Sequence, residues 1–256
     1  MSVLTTSIKG LSSILSASCI VHEDTKAITH ADQVSFGLAP RLNAAGRIAH
    51  AREGVQLMTT ESSEEAERLA SQLCDTNVTR QQIERNIFEE AQKRIAELAI
   101  EKDMALVVDG QDWHPGVIGI AASRLVDKFY KPTIVLSIQE DGVCRGSCRS
   151  IEGLNMYEAL SACKEHLLQF GGHAMAAGLS LREAELPAFR EAFAASAGAH
   201  LSEEDYEPKV SVEFEMMPEE LTLDLVEELS LLEPYGMGNP KPYFGCRNVR
   251  GREAMA

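Results

Sequence analysis

The chain has 256 residues, of which 45% are hydrophobic and 25% are charged, a balance typical of a globular protein with one large or two modest domains. Its formal charge of −15 argues against a protein that binds nucleic acid over its whole surface, because phosphate contacts need clustered lysine and arginine. No segment has the pattern of a signal peptide or a membrane span, so we expect a cytoplasmic protein without membrane contact.

The negative charge is concentrated toward the C-terminal end. Residues 183–256 carry 16 acidic and 6 basic side chains, whereas residues 101–182 carry 10 and 8. The middle of the chain is therefore nearly neutral and can hold a local basic groove, whereas the last part predicts a solvated acidic face. The six cysteines are scattered, and we interpret them as reduced core thiols. They are Cys19, Cys74, Cys144, Cys148, Cys163 and Cys246.

The first half of the chain is predicted to be helical. A short helix is expected over residues 10–20, and residues 62–98 show a helical apolar period without proline or glycine, with Ser62 and Glu65 spaced as a capping box. Unbroken, that second helix would be about 55 Å long and would connect two globular parts. Residues 75–79 have poor helix propensity and could kink or break it. The apolar positions are Leu69, Leu73, Val78, Ile83, Ile87, Ala91, Ile95 and Leu98.

A change of period after residue 101 predicts an α/β unit. Residues 105–109 and 133–137 have the pattern of buried strands, and residues 116–129 between them that of a helix, so the two strands should be parallel. The next strand, at residues 142–150, alternates in polarity. It should place Arg145, Ser147 and Arg149 on one face, with Cys144 and Cys148 on the other. That face could bind an oxyanion, or it could be a solvated face paired with carboxylates.

A glycine-rich segment follows a helix expected over residues 155–168. Gly171 and Gly172 allow a close backbone approach to a ligand, and His173 can donate a hydrogen bond to a phosphate oxygen. The segment is predicted to be a loop, and a plain structural turn is the alternative to a binding loop. A strand at residues 177–181 and a helix at 183–199 should complete this α/β unit.

A last module begins near residue 208. It combines a strand pattern at residues 210–215, a helical pattern at 218–232 and a turn rich in glycine and proline at 232–244 that leads into another strand. The remaining residues, 245–256, are too few to close a sheet. We therefore expect a module that is incomplete or is completed by something else.

Five short motifs in a fixed order identify a family resemblance. They are residues 40–47, 113–124, 145–150, 171–178 and 232–240. Together they closely resemble the RecJ family of single-strand-specific 5′ to 3′ DNA exonucleases, part of the DHH phosphoesterase superfamily. The resemblance covers nearly the whole chain, and it implies that single-stranded DNA is the partner.

The resemblance implies an α/β fold in four parts. Residues 1–50 would be the C-terminal end of a DHH domain, and residues 51–101 would be the long connector helix. Residues 102–205 would form a DHH-associated domain with a mixed sheet, and residues 206–256 the start of an OB-fold that helps to hold single-stranded DNA.

The family reaction is hydrolysis of a phosphodiester by water activated on Mn²⁺ or Mg²⁺, which aspartates and histidines of the DHH domain bind. The sequence contains neither Asp-His-His nor Asp-x-Asp, and its seven histidines are dispersed. We therefore expect no cofactor in this chain, no catalytic residue, and a fragment that is inactive alone. A separate DHH-domain chain would be one source of the metal site.

The resemblance also implies roles for individual residues. Gly171, Gly172 and His173 would bind the phosphate of the nucleotide being processed. Ser147, Arg149 and Ser150 would contact the DNA backbone, beside Arg145, with Arg149 foremost because a guanidinium can bind phosphate through two hydrogen bonds.

Other matching residues have two interpretations each. Arg41, Asn43 and Arg47 could line the DNA path or brace the junction between domains. His114 could join the site or cap the helix that follows it. Trp113 is expected to be a packing anchor.

Two further classes of function fit the same sequence. One is a non-catalytic nucleic-acid-binding or scaffold protein, and the other is a small-nucleotide phosphodiesterase of the same superfamily. The motifs at residues 113–124 and 232–240 favour the RecJ branch over the latter.

Overall fold

The computed structural model describes residues 33–249, so the helix predicted over residues 10–20 lies outside the described part. A π-helical turn, Gln33–Leu38, leads into α1 (Ala39–Ile48) and α2 (Arg52–Thr59). Both pack against the first half of the long helix α3 (Ser63–Glu97) through a cluster of leucine and alanine side chains. The buried members of this helical cluster are Leu38, Ala45, Leu57, Ala66, Leu69, Ala70 and Leu73.

Helix α3 is continuous over its 35 residues, about 52 Å at 1.5 Å per residue. The Ser62 hydroxyl caps it by accepting a hydrogen bond from the Glu65 amide at 3.3 Å. Residues 75–79, which could have broken the helix, do not interrupt it. The hydroxyls of Thr76 and Thr79 donate hydrogen bonds to the carbonyls four residues earlier, at 2.8 and 3.0 Å, and both residues are therefore compatible with the helix.

The middle of α3 buries polar side chains where the sequence pattern predicts apolar ones. Asn77 is buried, and its side-chain oxygen is satisfied by a hydrogen bond from Arg80 at 2.9 Å. Arg80 in turn pairs with Glu84. The predicted core positions Val78 and Leu98 are instead exposed, at 63% and 40%. Polar groups thus occupy the buried stretch between the two apolar halves of the helix.

The second part of the chain is a five-stranded mixed sheet in the order β1-β2-β3-β5-β4. Its strands are β1 (Leu106–Gln111), β2 (Thr133–Ile138), β3 (Val143–Arg149), β4 (Gln169–His173) and β5 (Ala176–Arg182). Strands β1 and β2 are parallel, as predicted for a βαβ unit, and the other pairs are antiparallel. The predicted mixed α/β fold is confirmed.

Helices cover the two faces of the sheet unequally. Helix α4 (Pro115–Phe129) and the second half of α3 pack on one face of β1 and β2. The opposite face packs against α5 (Met156–Ala162) and α6 (Leu186–His200). Helix α5 ends well before the predicted residue 168, because a 3₁₀ turn at Lys164–His166 redirects the chain into β4.

The glycine-rich segment is a strand and not the predicted loop. Gly171 pairs with Gly178 and Gly172 pairs with Ala177, so both glycines belong to the β4–β5 hairpin, which Ala174 and Met175 close. Single-residue propensities disfavour glycine in strands, but the ladder to β5 imposes the extended conformation.

Residues 207–249 form short elements with few buried side chains. Strand β6 (Phe214–Glu215) pairs in parallel with β7 (Phe244–Gly245), and α7 (Leu223–Ser230) lies between them in sequence. Both β6 and α7 are shorter than the sequence pattern predicts. In α7, the Thr222 hydroxyl provides the N-terminal cap by accepting from the Leu225 amide at 3.2 Å.

Candidate functional site

Strand β3 carries the functional candidates on one face, as its alternation predicts. Cys144 and Cys148 are buried in the core on the opposite face, whereas Arg145 is exposed and Ser147 and Arg149 are half-buried. Burial raises the pKa of Cys148 to about 12 and that of Cys144 to about 11, so both remain neutral thiols at physiological pH. The strand therefore presents its cations and hydroxyl away from the core.

The antiparallel register places these residues in rows that cross three strands. One row consists of Arg149, Ala176 and His173. The next consists of Ser147, Gly178 and Gly171. The third consists of Arg145, Ser180 and Gln169. Paired residues of antiparallel strands point to the same face, so these nine positions form one surface, which we call the open face.

The part of the open face that lies on β4 and β5 is accessible because α4 covers only β2 and β3. Helix α4 packs on β2 and β3, but no described helix covers the same side of β4 and β5. Gly171, Gly178 and His173 are accordingly exposed. The same strands bury Ala177, Leu179 and Leu181 on their other side. Strands β4 and β5 thus have one side in the core and one side free to bind a ligand.

Arg149 is fixed by three oxygen acceptors. Its Nε donates to the Ser123 hydroxyl at 3.1 Å, and its Nη1 donates to the Ser147 hydroxyl at 3.1 Å and to the Cys148 carbonyl at 2.7 Å. Burial lowers the pKa of Arg149, and the charge of Arg47 lowers it further. Its Nη2 makes no hydrogen bond within the described part of the chain. The guanidinium is therefore oriented in advance, with donors to spare for an anion.

Glycine at position 119 allows α4 to approach β3 at this point. A Cβ there would lie 2.9 Å from the Ser147 hydroxyl and 3.0 Å from Nη2 of Arg149. One turn further along α4, Ser123 donates to the Gly119 carbonyl at 3.2 Å and accepts from Arg149. The sequence predictions did not include Ser123 or Gly119. The run of small residues in the motif at 113–124 was the available signal.

Arg47 and His114 both lie at the junction of α1 and α4. Arg47 donates to the Gly116 carbonyl at 3.1 Å, and a Cβ on Gly116 would lie 2.3 Å from the Arg47 carbonyl oxygen. His114 caps α4, because its Nδ1 accepts from the Gly116 amide at 3.1 Å. Both residues therefore have a structural contact at the junction, and Arg47 also contributes charge near Arg149.

Arg41, Asn43 and Ser150 lie away from the open face, and Gly172 belongs to the alternate positions of β4. Arg41 donates to the Gly37 carbonyl within its own helical segment. Asn43 is exposed on α1, one turn from Arg47. Ser150 is buried, and its hydroxyl donates to the Leu154 carbonyl at 2.8 Å, which satisfies it inside the protein.

The two adjacent glycines of β4 differ in their surroundings. Gly172 has a φ of +153°, and a Cβ there would lie 2.4 Å from the Ala176 carbonyl oxygen, so the hairpin needs glycine. A Cβ on Gly171 would point into open space. Only Gly172 thus has a structural reason to be glycine. His173 is exposed, and its Nδ1 accepts from the Met175 amide at 3.3 Å.

No carboxylate of residues 33–249 forms an ion pair with the open face. Its nine positions contain two arginines and one histidine and no acidic residue, and none of these three forms an ion pair with another described residue. The ion pairs of the domain lie elsewhere, as between Arg190 and Asp109 or Arg124 and Glu84. In a chain with a formal charge of −15, this patch is locally cationic.

The residues present do not fit a divalent metal. Within residues 33–249, no group of three or more histidine, cysteine, aspartate or glutamate side chains is placed to hold a metal ion. No helix in the same range is long and apolar enough to cross a membrane. The arginines and the histidine of the open face are hydrogen-bond donors that suit an anionic ligand.

Comparisons with known proteins assign the two parts of the chain. Residues 102–199 match the model of the DHHA1 domain, and residues 212–256 match that of the RecJ OB domain. The first match contains the whole five-stranded sheet and the open face. The second covers β6, α7 and β7.

The chain is similar to curated exonucleases and to a solved structure. It is 43% identical over 219 residues to the single-stranded-DNA-specific exonuclease RecJ of Bacillus subtilis and 35% identical over 232 residues to that of Escherichia coli. These alignments cover 85% and 88% of this chain, but 28% and 40% of the two relatives.

The crystal structure of RecJ from Thermus thermophilus in complex with Mg²⁺ superposes with a TM-score of 0.80 at 32% identity. The match covers 94% of this chain and 36% of that one. The chain thus spans less than half the length of the relatives it matches, and the predicted family resemblance is confirmed.

Proposed function

Because the chain is RecJ-like, with a DHHA1 domain followed by a RecJ OB domain, we propose that it binds single-stranded DNA for a single-strand-specific 5′ to 3′ exonuclease. The observation that supports this most directly is Arg149, a half-buried cation held by three oxygens and without a carboxylate partner among the described residues. The desolvation of such a cation is best offset by an anionic ligand.

In this proposal the open face holds the terminal phosphate of the strand. Arg149 provides two hydrogen-bond donors on Nη2, and His173 lies in the same row across β5. The side chain between them is only that of Ala176, so no bulky group separates the two residues. Arg47, at the α1–α4 junction, adds positive charge next to Arg149.

We place the metal-binding residues that hydrolysis needs outside these 256 residues, on a DHH domain of the same polypeptide or of a separate chain. The absence of an Asp-His-His or Asp-x-Asp motif from the sequence supports this placement. The chain alone should therefore bind a DNA terminus without cutting it.

The role of the protein in the cell would be in DNA repair and recombination. A deletion strain with normal resistance to ultraviolet light would contradict that role.

The test is a binding and cleavage assay with the full chain. Fluorescence anisotropy with a 5′-phosphorylated single-stranded oligonucleotide should show binding that weakens steeply between about 50 and 200 mM salt, because phosphate contacts release counterions. Duplex DNA of the same length is the specificity control. Release of nucleotides with Mn²⁺, suppressed by a chelator, would disprove the inactivity of the isolated chain. Equal affinity for duplex DNA would disprove the single-strand preference.

A further inference from the structure

We infer that the open face has a second phosphate site, separate from Arg149, in which Arg145, Ser180 and Gln169 bind an internal phosphodiester of the same strand. The inference rests on the proposed function and adds to it the part of the substrate that this second row recognises. It is carried by three observations: the chemistry of the row, the shape of the surface beside it, and its spacing from Arg149.

The row consists of groups that donate hydrogen bonds. Arg145 has a guanidinium that is exposed and makes no ion pair or hydrogen bond to a described residue. Ser180 and Gln169 occupy the paired positions on β5 and β4, so a hydroxyl and an amide lie beside it. None of the three is acidic. A cation at one end of a row with two neutral donors suits a singly charged phosphodiester.

The surface beside the row is a depression of about 410 Å³. Its floor is made largely of backbone, because glycines occupy the central positions of the neighbouring strands. A Cβ on Gly171 would meet no atom within 4 Å, and a Cβ on Gly178 would meet only the Gly146 carbonyl oxygen, at 3.8 Å. Packing therefore does not require glycine at these two positions, whereas clearance for a ligand does. The lining residues are Arg145, Gly146, Gln169, Phe170, Gly171, Gly178, Leu179 and Ser180.

The spacing makes the two cation sites parts of one path. Arg145 and Arg149 lie four residues apart on the same face of β3, which corresponds to about 13 Å along an extended strand. This backbone spacing is long enough for the two side chains to bind different phosphates of one strand. A strand whose end lies at Arg149 and His173 would cross the glycine floor and present a later phosphate to Arg145.

The experiment combines Arg145→Gln with neutral linkages in the DNA. Single-stranded oligonucleotides carry one methylphosphonate at the first, second, third or fourth internal linkage, and each is titrated against the wild-type chain and the variant. Arg85→Gln is the matched control, since Arg85 is exposed on α3, away from the sheet. We expect Arg145→Gln to weaken binding by about fivefold to tenfold and to lower the salt slope by about one, with Arg85→Gln near wild type.

One linkage should be coupled to Arg145. Neutralising it should weaken the wild-type chain about as much as the substitution does, and should have little further effect on the variant. Gly178→Val, which fills the floor without a backbone clash, should cause a similar loss at an unchanged melting temperature. The second site is disproved if Arg145→Gln binds as tightly as wild type, or if the losses add at every linkage, while Arg149→Gln still loses binding. If the wild-type chain binds no oligonucleotide, the proposed function fails as well.

Discussion

The Ser123 hydroxyl accepts a hydrogen bond from Nε of Arg149 at 3.1 Å, and it donates its own proton to the Gly119 carbonyl at 3.2 Å. The donor and acceptor roles of this hydroxyl are thus both assigned. Because Ser123 belongs to α4 and Arg149 to β3, the orientation of the guanidinium depends on the packing of the helix on the sheet.

Replacing Arg149 with glutamine should weaken binding of 5′-phosphorylated single-stranded DNA by about tenfold or more, the effect of losing a charge-assisted contact of about 1.5–3 kcal/mol. The same substitution should remove the preference for a 5′-phosphate over a 5′-hydroxyl end. Fluorescence anisotropy with the two oligonucleotides measures both effects. If the Arg149→Gln chain keeps wild-type affinity and the same preference, Arg149 does not bind the terminus.

Replacing Ser123 with alanine should weaken binding less, by a few-fold, because the guanidinium stays but loses one of three fixed acceptors. The informative measurement is a double-mutant cycle with Arg149→Gln. Ser123→Ala should have little effect once Arg149 has been removed, since a positioning residue acts only through its partner. Full additivity of the two losses would show that Ser123 acts independently.

The adjacent glycines of β4 should respond differently to alanine. Gly172→Ala should lower the free energy of unfolding by about 2 kcal/mol or more, through the positive φ and the contact with the Ala176 carbonyl. Gly171→Ala should leave stability unchanged or raise it by about 0.5 kcal/mol, because alanine restricts the unfolded chain. Urea denaturation of both variants provides the comparison, and equal losses would contradict the assigned surroundings of the two residues.

The buried thiols predict how stability depends on pH. Burial raises the pKa of Cys144 to about 11 and that of Cys148 to about 12, from an unperturbed 9.0. The folded state therefore holds these two protons more tightly than the unfolded state does. The stabilisation that this provides is fully present below pH 9 and is lost as the pH rises toward 11 and 12. Between pH 8 and pH 10.5, the urea midpoint of the wild-type chain should fall more than that of a Cys144→Ala/Cys148→Ala chain. Equal falls would show that the two thiols are not the source of the pH dependence.

The alternation of β3 was enough to predict which face carries Arg145, Ser147 and Arg149, because a period of two is a local property of a strand. The secondary structure of the glycine-rich segment at residues 171–178 was not predictable in the same way. Glycine pairs favour loops locally, and only the ladder to β5 makes this one extended. Ser123 was missed for a related reason, since its contact with Arg149 joins residues 26 positions apart and arises from tertiary packing.

The continuity of α3 also fixes an angle between the two apolar clusters that it serves. Leu69 and Leu73 belong to the helical cluster, whereas Ile87, Ala91 and Ile95 belong to the cluster beside β1. One residue inserted between these groups would rotate one relative to the other by about 100°, whereas four residues would pass a full turn by only about 40° and add about 6 Å of length. Melting temperatures of the two insertions should therefore differ, with the four-residue insertion the milder. The helix therefore fixes the relative rotation of the two clusters as well as the distance between them.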